Sequence, residues 1–310
     1  MNLDSLISGA INSTLGKKAM ASAGFAEATK LRRGEALPSG PLALGVVGES
    51  SVVADALAAI GLSAEPALID VPESRTKDDK GRDQAPSYPA KIGAILVDAA
   101  QAATVDQLEQ VRAALRPAMR GLEPSGRVII VGGDPAAAGS VEQAAVRQAL
   151  DGIMRSVGKE LRAGATANLV QLAESTSPEQ LGEVLRFLLS GRSAYVDGQP
   201  LVLADLATAP APEGRIVVVT GAARGIGAAI ARRFAADGAR LVVVDVPIAG
   251  EALAGVANEL HGTALQLDIT VPDAGARIAE HVASRYGADA RIGALVHCAG
   301  ILRDRMLANL

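Results

Sequence analysis

The sequence predicts an α/β protein built of two successive units, each with its own parallel sheet. Three observations carry this. Short apolar runs rich in Val, Ile and Leu alternate with longer helical patterns along most of the chain, the signature of strand–helix–strand crossovers. The alternation stops and restarts once, at the Pro-rich stretch Ala207-Thr-Ala-Pro-Ala-Pro-Glu-Gly214. The restart carries a glycine-punctuated turn between strand and helix, Thr220-Gly-Ala-Ala-Arg-Gly-Ile-Gly227.

Composition fits such layers. A chain of 310 residues corresponds to two domains of ordinary size. Hydrophobic residues make up 49% and aromatics only 2%, so the cores must be assembled from Ala, Val, Ile and Leu. The net charge of −4, with both signs mixed throughout, offers no basic face and argues against nucleic-acid or membrane partners. Cys298 is the sole cysteine, which excludes a disulfide framework and points to a reducing compartment. The start at Met1 has no basic segment of a secretory signal, and no uncharged apolar run approaches the ~18 residues of a membrane span. A cytoplasmic protein is expected.

Residues 1–41 read as a polar N-terminal arm ending in Glu35-Ala-Leu-Pro-Ser-Gly-Pro41. Within residues 42–206, strands are expected at 42–47, 67–71, 92–97, 127–131 and 167–172, with helices at 51–60, 104–121, 141–162 and 178–189. Residues 71–89, dense in Lys, Asp, Arg and Pro, show neither periodicity and read as a solvated loop. Right-handed crossovers then give a doubly wound sheet in flavodoxin-like order. A phosphate loop is missing from it. Val47-Gly-Glu-Ser-Ser51 has one glycine, Glu49 would repel phosphate, and no aromatic is placed to stack on a flavin. This unit reads as a scaffold or oligomerisation module, and a homo-oligomer is expected.

After the linker at 207–214, residues 215–310 repeat the pattern. Strands are expected at 215–220, 240–246, 263–267 and 292–297, and helices at 226–237, 251–260 and 273–286, with a last helix barely begun at Leu310. The expected strand order is 3-2-1-4, the first half of a Rossmann NAD(P)-binding domain.

The glycines carry the chemistry. Gly221 lets the chain turn sharply off the strand, while Gly225 and Gly227 let backbone N–H groups and a helix N-terminus approach a pyrophosphate. The helix is expected to bury Ile226, Ile230 and Phe234 at a spacing of four. Asp245 ends the second strand, where a carboxylate can accept bonds from both ribose hydroxyls. Asp268 and Ile269 end the third, placed for the adenine edge, with a helix-capping role before Thr270 and Pro272 as the alternative for Asp268. Cys298, Ala299 and Gly300 end the fourth, where small residues let a cofactor lie against backbone. His297 and Cys298 point to opposite faces of a strand, so neither a metal site nor a thiol–imidazole pair is expected. Asp245 would repel a 2′-phosphate, whereas Arg224 could contact one. NAD(H) is favoured, because the long Arg224 side chain can turn to solvent, and NADP(H) stays open.

These motifs together resemble the short-chain dehydrogenase/reductase family, over residues 214–310. The family's glycine motif is Thr-Gly-x-x-x-Gly-x-Gly, and its fourth strand ends in Asn-Asn-Ala-Gly, where this chain has His297 and Cys298 in place of the asparagines. Gly300-Ile-Leu-Arg-Asp304 further resembles the 3-oxoacyl-acyl-carrier-protein reductase branch. Fainter likenesses run through the N-terminal half: Gly126-Arg-Val-Ile-Ile-Val-Gly-Gly133, Asp151-Gly-Ile-Met-Arg-Ser-Val-Gly-Lys-Glu-Leu161 and Phe187-Leu-Leu-Ser-Gly-Arg-Ser-Ala-Tyr-Val-Asp-Gly-Gln199. Ile92-Gly-Ala-Ile-Leu-Val-Asp-Ala-Ala100 also echoes Ile292-Gly-Ala-Leu-Val-His-Cys-Ala-Gly300. They imply a duplicated, degenerate domain, and the whole is similar to the two-domain, high-molecular-weight 3-oxoacyl reductases.

The resemblance implies NADH-dependent reduction of a 3-oxoacyl thioester, on acyl carrier protein or coenzyme A, to the 3-hydroxyacyl thioester. A Tyr phenol would donate the proton, with a Lys lowering its pKa and a Ser holding the substrate oxygen. In the N-terminal half Gly133, Gln143 and Arg147 stand at those three places. In the C-terminal half all three places lie downstream of the Ala-Gly step. The chain is therefore expected to be a fragment, with the cofactor motif and no catalytic residue. The alternative is a non-catalytic nucleotide-binding or scaffold protein.

Overall fold

A computed structural model describes residues 30–203 and 214–300. The chain divides into two compact units, Met1–Leu206 and Ala207–Leu310. Most of the N-terminal arm, residues 207–213 of the linker and the last expected helix lie outside the described residues.

The first unit runs β1 (Leu42–Val46), α1 (Val52–Ala59), β2 (Glu65–Pro66), the hairpin strands β3 (Thr76–Lys77) and β4 (Asp83–Gln84), and β5 (Ile92–Ala99). It continues with α2 (Gln107–Gly121), β6 (Leu122–Gly133), α3 (Val141–Glu160), β7 (Thr166–Leu172), α4 (Pro178–Leu189) and β8 (Gln199–Val202). The sheet is parallel in the order β2-β1-β5-β6-β7-β8, the flavodoxin-like order extended by a sixth strand. All eight residues of β5 are buried, as expected for a strand covered on both faces. The two-residue period of the strand separates the layers: Ile95 and Val97 pack with Leu115 and Met154, while Ala94 and Leu96 pack with Leu57 and Leu185. Ser177 and Gln180 form a reciprocal cap at the start of α4, with Pro178 at its first position. The buried guanidinium of Arg127 closes the other end by donating to the carbonyls of Leu188 and Ser190.

Three local readings differ from the structure. The run 67–71 is not a strand: pairing with β1 ends at Pro66, and the chain turns so that Asp70 reaches Arg75, Arg112 and Arg116. The stretch 71–89 holds the short antiparallel hairpin β3–β4, too brief and too polar to show a period. Residues 30–41, read as part of an arm, are pinned to this unit. The Arg32 backbone N–H donates to Ser125, its guanidinium pairs with Glu123, and Gly34 bridges Gly191.

At the switch point between β1 and β5, where open α/β sheets receive ligands, this unit places its own carboxylate. Asp98 is fully buried at the end of β5. It accepts from the Val53 N–H in the first turn of α1 at 3.0 Å, from the Ser50 hydroxyl at 2.9 Å and from the Ala100 N–H at 3.2 Å.

The second unit runs β9 (Ile216–Thr220), α5 (Gly225–Ala236), β10 (Arg240–Asp245), α6 (Gly250–Glu259), β11 (Thr263–Gln266), α7 (Ala274–Tyr286) and β12 (Ile292–His297). Its parallel sheet has the order β11-β10-β9-β12, which is 3-2-1-4. Val217, Val219 and Val243 face Ala228, Ala231 and Leu253, and Val218, Val242 and Val244 face Ile278 and Val282. One expectation is corrected here. Ile226 is 76% exposed, and α5 buries Gly227, Ala228 and Ala231 instead, with Phe234 only partly covered. The helix lies so close to β9 that only small residues fit between them.

Among the described residues no helix is long and apolar enough to cross a membrane.

Candidate functional site

Where the ends of β9, β10, β11 and β12 meet, the second unit encloses a cavity of about 520 Å³. It lies at a topological switch point, with β10 leaving on one side of β9 and β12 on the other. Gly221, Arg224, Asp245, Asp268, Ile269, Cys298, Ala299 and Gly300 all line it. Gly225, Ile226 and Gly227 do not line it and form the first turn of α5 beside it. Val244, Val246, Leu267 and Thr270 line it too and were not read from the sequence. Their signal was adjacency, since Val244 and Val246 flank Asp245, Leu267 precedes Asp268 and Thr270 lies two residues beyond it.

The glycine turn is shaped by two close approaches. Gly221 has φ +66°, and a Cβ there would stand 2.6 Å from the Ala299 nitrogen. A Cβ on Gly227 would overlap the carbonyl oxygen of Gly221. Side chains are therefore excluded where loop, helix and β12 converge. The Ala222 N–H donates to the Val244 carbonyl at 3.2 Å and the Ala223 N–H to the Asp245 carboxylate at 2.9 Å.

The N-terminus of α5 has no internal anion. No side chain caps it, and its first turn holds no acidic residue. By contrast, Ser140 caps α3, Ser177 caps α4 and Asp98 serves α1. The helix dipole and unpaired amides leave this end suited to a phosphate.

The other strand ends supply polar edges. Asp245 accepts from the N–H groups of Ala223 and Val246 through different oxygens. Asp268 accepts from the backbone N–H of Thr270 at 2.9 Å and from its hydroxyl at 2.8 Å. These bonds, the backbone one foremost, hold its carboxyl below the usual carboxylate range. Asp268 does not cap α7, whose N-cap position is Asp273.

Thr220 is a positioning residue that the sequence reading passed over. Its hydroxyl accepts from the N–H groups of Cys298 at 3.2 Å and Ala299 at 3.3 Å, tying the end of β9 to the end of β12. That tie spans the step at which Cys298 stands in place of an asparagine. A buried Thr ending an apolar strand was the available signal. His297 is exposed while Cys298 is partly buried at the cavity. No group of three or more metal-ligating side chains occurs among the described residues.

Residues 215–310 match the family model described as short chain dehydrogenase. The C-terminal unit is similar to that family over those residues. Its members are oxidoreductases that use NAD(P)(H). Among curated relatives, the 3-oxoacyl-acyl-carrier-protein reductase of Escherichia coli (strain K12) is 35% identical over 98 residues, covering 32% of this chain and 39% of that protein. The D-threitol dehydrogenase of Mycolicibacterium smegmatis is 42% identical over 94 residues, covering 29% of this chain and 35% of that protein. The chain spans well under half the length of these relatives. A solved dehydrogenase/reductase from Sinorhizobium meliloti 1021 aligns at TM-score 0.39 and 14% identity, over 55% of this chain and 95% of that one.

The residues present fit the family's nucleotide. An uncapped helix end, a cradle that any Cβ would fill, and a carboxylate at the second strand end are what a pyrophosphate and an adenosine ribose require.

Proposed function

We propose that residues 215–310 bind the adenosine and pyrophosphate portion of NAD(H), as the cofactor half of an NADH-dependent reductase of 3-oxoacyl thioesters. The observation that carries this is the convergence of the glycine turn, Asp245 and the Cys298–Ala299–Gly300 step on one cavity. The pyrophosphate would lie against Gly221 and the amides of Arg224, Gly225, Ile226 and Gly227. Asp245 would accept from the ribose hydroxyls, and Asp268 with Ile269 would border the adenine. When bound, the cofactor would supply the hydride that reduces a 3-keto group.

NADH is preferred because two carboxylates and one guanidinium line the cavity, so a further phosphate dianion meets net negative charge. The acyl thioester, on acyl carrier protein or coenzyme A, is assigned from Gly300-Ile-Leu-Arg-Asp304 and from the similarity to the Escherichia coli reductase. Residues 301–304 lie outside the described residues. The N-terminal unit, with its crevice closed by Asp98, is assigned a scaffold role in a cytoplasmic homo-oligomer.

Calorimetric titration of the 310-residue chain with NADH and NADPH tests the cofactor assignment. NADH is expected to bind at least about tenfold more tightly, and Asp245→Ala to narrow that gap. Equal affinities in the wild type would overturn the NAD(H) preference, and no binding of either would overturn the site. Residues 215–310 are assigned cofactor contacts and no catalytic Ser, Tyr or Lys. NADH oxidation with acetoacetyl-CoA by the 310-residue chain would contradict that part of the reading.

A further inference from the structure

We infer that Asp245 is a positioning residue for the glycine turn, latching it in its binding shape before any nucleotide arrives. Ala223 is 6% exposed, so its N–H needs an acceptor within the protein. The acceptor is the Asp245 carboxylate at 2.9 Å, reached from 22 residues along the chain. A charge-assisted bond of this kind is stronger than the neutral bond from Ala222 to the Val244 carbonyl, the other stitch between the turn and β10. On its far side the turn is held by Gly227 packed on the Gly221 carbonyl. The latch therefore sets where the first amides of α5 stand.

Latch and ribose reader can coexist in one side chain. A carboxylate offers about four acceptor sites. The N–H groups of Ala223 and Val246 occupy one on each oxygen, which leaves room for two hydroxyl donors. A substitution that removes the charge facing a 2′-phosphate also removes the latch. Cofactor preference and the shape of the turn are thus coupled through Asp245. Its loss alone weakens NADH binding without creating NADPH binding.

The latch is tested without nucleotide, so its failure is distinct from failure of the proposed cofactor reading, on which only the affinity arm rests. Hydrogen exchange at the Ala223 amide is compared in wild type, Asp245→Ala and Asp245→Asn, with Val218 and Val219 amides reporting that the sheet is intact. Asp245→Ala is expected to speed exchange at Ala223 by about tenfold or more. Asp245→Asn keeps a neutral side-chain acceptor and should give a smaller rise of a few-fold. In the affinity arm, Asp245→Ala loses NADH affinity and gains none for NADPH. Ala223 exchange within about twofold of wild type in both variants would overturn the latch, as would NADPH binding by Asp245→Ala at the wild-type NADH affinity. If the alanine variant does not fold, the asparagine variant alone decides, by a rise or its absence.

Discussion

Replacing Gly227 with alanine is expected to lower the NADH affinity of the 310-residue chain by about a hundredfold, close to 3 kcal/mol. The added methyl would overlap the carbonyl oxygen of Gly221, a backbone atom that cannot swing aside like the tip of a flexible side chain. Either α5 backs away from the sheet or the turn shifts, and both move the amides at the helix end. Overpacking of this kind costs about 1–3 kcal/mol. Gly225→Ala is the control. Gly225, unlike Gly227, has a positive φ, of +60°, and a Cβ there meets nothing within 4 Å. Its cost is the left-handed backbone penalty of about 1–2 kcal/mol, with a smaller loss of affinity. Calorimetry on the two variants separates steric shaping from backbone strain. If Gly227→Ala binds NADH within a few-fold of wild type, the close approach does not shape the cradle.

The second large effect lies in the first unit. Asp70→Ala is expected to destabilise that unit by about 1.5–3 kcal/mol, the range for losing hydrogen bonds to a charged group. The Asp70 side chain has no exposed surface and receives Arg75 at 2.8 Å, Arg112 at 2.8 Å and Arg116 at 2.7 Å. The three guanidiniums are partly exposed, so they can relax into water once the carboxylate is gone. The same cluster fixes a pH dependence. The bond from Arg75, followed by those from Arg112 and Arg116, holds the Asp70 carboxyl far below the ordinary range against the opposing effect of burial. With the folded value depressed, the stabilisation is complete above the unfolded pKa of about 3.9 and is lost as pH falls below it. Urea unfolding from pH 7 to pH 3, followed by circular dichroism, should show a steeper loss below about pH 4 in wild type than in Asp70→Ala. Parallel profiles would contradict the assignment.

What the chain revealed before its structure follows the reach of local pattern. Strand and helix periods located β9 through β12 and their order, because βα alternation allows few right-handed arrangements. Pro200 hid β8, since a proline demotes a strand pattern; the strand lies at a sheet edge, where a missing N–H is tolerated. Spacing by four suggested a buried Ile226, but the backbone approach at Gly227 rotated the small residues of α5 inward instead. The acidic strand ends Asp245 and Asp268 were legible because they follow apolar runs. The bonds they make were not, since Ala223 and Asp245 meet only once β9 and β10 pair. Asp70 looked like one more strand residue. Its three partners come from 5 to 46 residues away, beyond any sequence period.

Asp98 also sets a stoichiometry. A chain with two parallel sheets has two switch points at which a helix end could hold an anion. In the first unit that place is filled intramolecularly, by a carboxylate whose local concentration no free ligand can match. In the second unit the α5 end has no such occupant. A saturating titration should therefore plateau at one nucleotide per chain, whatever the number of subunits assembled.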